Sequence, residues 1–76
     1  MNYRNYSDDV EIQQAYEDGY NFCYTNGLPP CYNENPYMDN GNDREKFKAY
    51  EQGNSDCWNE HNDIRESYEE QMRLYD

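Results

Sequence analysis

The chain has 76 residues, with Lys+Arg of 6 against Asp+Glu of 17, for a net charge of -11 at pH 7. That length allows one domain with a small interior. The charge argues against direct nucleic-acid binding, whose affinity comes largely from neutralising phosphates.

Only seven residues are Leu, Ile, Val or Phe: Val10, Ile12, Phe22, Leu28, Phe47, Ile64 and Leu74. With this charge, so poor an aliphatic supply would by itself leave the chain disordered. Ten Tyr and one Trp oppose that, because aromatic rings bury large areas wherever their polar tips find a partner. A chain this small and this charged is expected to need a staple, such as a metal, a dimer interface or a partner. No apolar run approaches the ~20 residues of a membrane helix, and the polar N-terminus does not read as a signal peptide. Three cysteines make no closed disulfide framework, so the expected setting is the reduced cytoplasm.

Residues 1–7 form a polar arm. Ser7 or Asp8 suits a helix N-cap, and Asp8 with Glu11 has capping-box spacing. Ile12, Ala15, Tyr16, Gly19, Phe22 and Cys23 then recur at steps of three and four, the stripe of a helix over 8–25. Asn26-Gly27 supplies the stop, and Pro29-Pro30 forbids continuation. Residues 26–42 read as a loop holding all three prolines. Asn42 with Glu45 repeats the capping-box spacing. Tyr50, Gly53, Cys57, His61, Ile64, Tyr68, Met72 and Tyr75 then make a near-heptad seam, which predicts one continuous helix over 43–74. Gly53 is the weak point of that helix.

Within these elements the chain repeats itself. Ala15-Tyr16-Glu17-Asp18-Gly19 recurs 34 residues later as Ala49-Tyr50-Glu51-Gln52-Gly53, and each glycine is followed four residues on by a cysteine, Cys23 and Cys57. Ala and Gly at this spacing share one helix face and let two backbones approach closely. The fold expected is all-α: a two-helix hairpin crossing at Ala15, Gly19, Ala49 and Gly53, with a long Pro/Tyr-containing loop. Helix 2 outruns helix 1, leaving Ile64, Tyr68, Met72 and Tyr75 as an uncovered stripe, which predicts a homodimer or a partner there.

Ala15-x-x-x-Gly19-Tyr20, then Asn35-Pro36-Tyr37, then Ala49-Tyr50-x-x-Gly53 resembles the ribosome modulation factor family, over roughly residues 12–58. The resemblance implies a short two-helix cytoplasmic protein whose Pro-Tyr loop folds over the crossing, and a ribosome-associated, hibernation-type role. Ribosome-binding members of that family are basic. Here Arg44, Lys46 and Lys48 form the only basic cluster, so the expected target is itself a basic protein.

Three constellations bear on function. Asp56, Glu60, Asp63, Glu66 and Glu70 fall broadly to one side of helix 2, spaced ~4.5–6 Å along its axis at 1.5 Å per residue. Glu17, Asp18, Glu51 and Glu69 extend the field. Such a row imitates the phosphates of a nucleic acid and would steer the chain into a basic groove; the plain alternative is a solvated face. Cys23, Cys31, Cys57 and His61 make a Cys3His zinc set in composition, against which buried cysteine serves commonly as a small hydrophobe. Cys57 and His61 lack the third group of a nucleophile site, and a two-helix chain builds a poor cleft, so no enzyme is expected. The reading is therefore a non-enzymatic acidic inhibitor without a cofactor, binding a basic nucleic-acid-binding protein or complex by mimicry. In this it looks like phage-encoded anti-restriction or anti-CRISPR proteins acting in a host cytoplasm.

Overall fold

The computed structural model describes residues 3–32 and 34–73, and their architecture is all-α. Helix α1 spans Val10–Asn26, α2 spans Arg44–Glu60 and α3 spans Asn62–Arg73, with 3-10 turns at Pro30–Tyr32 and Gly41–Asp43. The molecule measures 42 × 26 × 14 Å.

The cap of α1 is Asp9 rather than Ser7 or Asp8. Asp9 Oδ1 accepts the Glu11 and Ile12 amides at 2.9 and 3.4 Å, while Ser7 Oγ accepts the Asp9 amide at 3.1 Å. The helix ends as the sequence predicts, on Gly27 in the left-handed region (φ 64°), whose amide donates to the Cys23 carbonyl at 2.8 Å. The capping box expected at Asn42 and Glu45 does not form. The 3-10 turn Gly41–Asp43 instead runs straight into α2, and neither Asn40 nor Asp43 makes a side-chain cap bond.

The two long helices pair at the repeated residues. A Cβ added to Gly19 would land on the Tyr50 carbonyl, 2.9 Å from Tyr50 Cα; one added to Gly53 would land on the Tyr16 carbonyl, 2.8 Å from the Tyr20 nitrogen. The contacts advance in step along both helices. Glu11 meets Lys46 at 3.6 Å near the two starts, Ala15 packs with Ala49, and Cys23 packs with Cys57 near the two ends. The expected hairpin is thus a pair pointing the same general way, related by the 34-residue repeat, and residues 27–43 must run back along it. That return journey explains the long connection. On the way, Asn35 Nδ2 donates to the Phe47 carbonyl at 3.0 Å, and Tyr37 packs on the Ala15, Tyr16 and Ala49 cluster.

The interior is aromatic and small rather than aliphatic. Ala15, Tyr16, Tyr20, Cys23, Ala49, Tyr50 and Cys57 form it. Asn54 is buried with them and donates to the Gly19 carbonyl at 2.6 Å. The N-terminal arm closes one side: Tyr6 stacks on Tyr16 (5.1 Å between centroids, 9° between planes), and Tyr3 meets the edge of Tyr20 at 5.6 Å.

The single helix expected over 43–74 is two helices. The break falls at His61 (φ -114°, ψ 85°), not at Gly53, which stays helical within the crossing. His61 closes α2 through its amide to the Cys57 carbonyl at 3.0 Å, and its own carbonyl accepts two amides of the first turn of α3, from Ile64 and Arg65. The turn brings Ile64 onto Tyr20, Cys23 and Cys57. Burial of that side chain, ~1.5–3 kcal/mol if complete, is what a straight helix would forfeit.

Candidate interaction surface

The carboxylates expected to form one row divide into two groups. Asp56 is only 9% exposed and belongs to the interior. Its Oδ2 accepts the Tyr16 hydroxyl at 2.5 Å and Arg4 at 3.2 Å, and its Oδ1 accepts Gln52 at 2.8 Å. Glu60 continues the network: Oε1 accepts Arg4 at 2.8 Å and Oε2 accepts the Tyr20 hydroxyl at 2.9 Å. The Tyr20 hydroxyl also lies 2.9 Å from His61 Nε2. Burial, and then donation to Asp56 and Glu60, pushes the Tyr16 and Tyr20 hydroxyls well above the ordinary tyrosine range. Asp56 and Glu60 are therefore bolts between the arm, α1 and α2, and of the expected phosphate-like row only the α3 members, Asp63, Glu66 and Glu70, are left.

Arg4 was not singled out in the sequence, yet it ties the arm to both acids. The signal was its isolation, as the single Lys or Arg before Arg44 in a strongly acidic chain.

Of the other acids singled out, those on α1 and α2 are half-buried and those on α3 are exposed. Glu17 accepts Gln13 at 3.1 Å and Asp18 accepts Gln14 at 3.0 Å along α1, and Glu51 is half-buried on α2. On α3, Asp63, Glu66, Glu69 and Glu70 are all exposed, and no residue of that helix is fully buried. Glu66, Glu69 and Glu70 line one surface depression of about 370 Å³ together with Arg73. Asp63, Glu66 and Glu70, three and four residues apart, share a helix face. Acids do gather on α3, then, over a shorter length than expected.

The stripe assigned to a dimer is partly used within the chain. Ile64 packs on the core. Tyr68 is half-buried against the edge of Trp58 at 5.7 Å and beside Tyr32 at 6.2 Å. Met72 remains 49% exposed, and Tyr75 lies outside the described residues. The four zinc candidates do not converge. Cys23 and Cys57 are buried together, Cys31 is exposed on the 3-10 turn, and His61 is held between Tyr20 and Tyr24. Among the described residues no three His, Cys, Asp or Glu side chains are placed to hold a metal ion. Nor is any described helix long and apolar enough to cross a membrane.

Comparison with protein-family models, curated proteins and solved structures finds no match to this chain.

Proposed function

We propose that the protein is a non-enzymatic acidic inhibitor that occupies the basic, nucleic-acid-binding surface of another protein or complex. The observation that carries this reading is the division of the carboxylates: Asp56 and Glu60 accept from Tyr16, Tyr20 and Arg4, whereas α3 holds Asp63, Glu66, Glu69 and Glu70 out to solvent on one amphipathic helix. A negative helix beside a rigid pair gives a cationic groove a preformed counterpart, with long-range attraction to speed encounter. Met72 and the Tyr32–Tyr68 edge leave apolar contact on the other side of the same helix. A phage anti-defence protein, anti-restriction or anti-CRISPR in type, is the biological setting that fits such a device.

The test is capture of partners from a host lysate at low and high salt, followed by competition with the nucleic acid of the captured protein. Mimicry predicts that salt and nucleic acid both release the partner. Replacing Asp63, Glu66 and Glu70 together by lysine is expected to abolish capture while helicity is retained. Unchanged capture by that variant would reject the α3 face.

A second reading is a ribosome-associated factor that touches a basic ribosomal protein. It is favoured by Tyr37, which packs over the Ala15 and Ala49 crossing as the ribosome modulation factor resemblance implies. It predicts co-sedimentation with ribosomes, which the first reading does not.

A further inference from the structure

Cys23 and Cys57 have no part in the proposed binding face, yet they are the best-matched pair in the molecule. They occupy equivalent positions of the repeat. Both are free and fully buried, and they share one core cluster with Tyr20. Cys31 stands apart on the surface.

Helices that pack through ordinary side chains lie ~8–10 Å apart at their axes. A disulfide needs Cα atoms within ~7 Å and facing Cβ atoms. The glycine crossing removes the side chains that would hold α1 and α2 apart, and the cysteines lie one turn beyond it on the same faces.

We propose that Cys23 and Cys57 are a site of intramolecular disulfide formation, closed by exchange with a small-molecule disulfide of the oxidised-glutathione class. One cysteine thiolate attacks a sulfur of that disulfide and expels a thiolate, leaving a mixed disulfide on the protein. The second cysteine, deprotonated, attacks the protein sulfur and expels the other small thiolate. The two protein thiols lose two electrons and two protons, and one disulfide becomes two thiols. The product joins α1 to α2 beneath Ile64 and Trp58, which pack on this same cluster, so the bond also fixes the seat of α3.

The experiment uses the full chain with Cys31→Ser, equilibrated across a series of reduced to oxidised glutathione. The readouts are intact mass, a non-reducing peptide map and thermal melting. Because both thiols are buried, the series is repeated with refolding from denaturant, so that slow access cannot hide the reaction. The expected product lacks two hydrogens, carries no glutathione and links the Cys23 and Cys57 peptides. It melts about 10 °C or more higher than the reduced form, and a dithiol reductant reverses the rise. The further variant Cys57→Ser is expected to show no rise. The proposal is overturned if refolding in oxidised glutathione leaves both thiols free or separately capped, or if the cross-linked chain melts below the reduced one.

Discussion

The crossing and the terminal helix use the same residue types to opposite ends. At the crossing, Asp56 and Glu60 accept from Tyr16, Tyr20 and Arg4, and the tyrosine rings fill the space that leucines fill in most small domains. On α3 the acids face water, and only Ile64, Arg65 and Tyr68 reach half-burial. A carboxylate that takes up a buried phenol and a guanidinium becomes part of the fold, whereas one left in solvent is available to a partner. The contrast teaches that a net charge of -11 is not a uniform coat; what matters is which acids have internal donors.

The largest effect that would break this comparison lies in the crossing. Gly19→Ala or Gly53→Ala puts a methyl into the facing backbone, which cannot move away as a flexible side chain would. Each is expected to cost about 3 kcal/mol or more and to abolish cooperative thermal unfolding by circular dichroism. Asp56→Ala comes next. It leaves the buried Tyr16 hydroxyl without its acceptor, along with Gln52 and one arm of Arg4, a loss of about 2–3 kcal/mol by chemical denaturation.

The same contacts have a pH signature. Tyr16 and Tyr20 are held above the unfolded tyrosine value, so folding favours the neutral phenol. Their contribution is complete below that unfolded value of about 10 and is lost as pH rises above it toward the folded-state values. Spectrophotometric titration should show these phenols ionising after the exposed tyrosines, and denaturation midpoints should fall on the alkaline side.

Ile64→Ala sharpens the comparison from the other end. Its expected cost is about 1–2 kcal/mol, less than for a fully buried isoleucine, and it should fall locally: amide exchange in α3 should accelerate while α1 and α2 stay protected. Asp9→Ala is the smallest change, about 1 kcal/mol from the lost cap of α1.

The crossing was legible because a repeat of small residues leaves little freedom: Ala15, Gly19, Ala49 and Gly53 stand where their spacing put them. The end of α1 was equally legible, since Gly27 before two prolines admits few conformations. The break at His61 was not. The seam through His61, Ile64 and Tyr68 keeps helical spacing on both sides, and periodicity does not register a turn between two helices that continue the same pattern. The weaker signal was Asn59, His61, Asn62 and Asp63, a cluster of modest helix formers, outweighed by Ile64 reaching the core. The role of Asp56 was hidden for a different reason. Helical spacing places a carboxylate on a face, but only the fold brings the Tyr16 hydroxyl and Arg4 to it, across 40 and 52 residues.

Parallel melting of two variants, Asp56→Ala and the Asp63→Lys, Glu66→Lys, Glu70→Lys triple, tests the division between folding and surface carboxylates most directly. The structure predicts that the first loses about 10 °C or more and the second stays within about 5 °C of the parent, at roughly 4–8 °C per kcal/mol for a chain of this size. A triple variant that melts as low as Asp56→Ala would contradict it, because the α3 acids would then belong to the fold rather than to a partner.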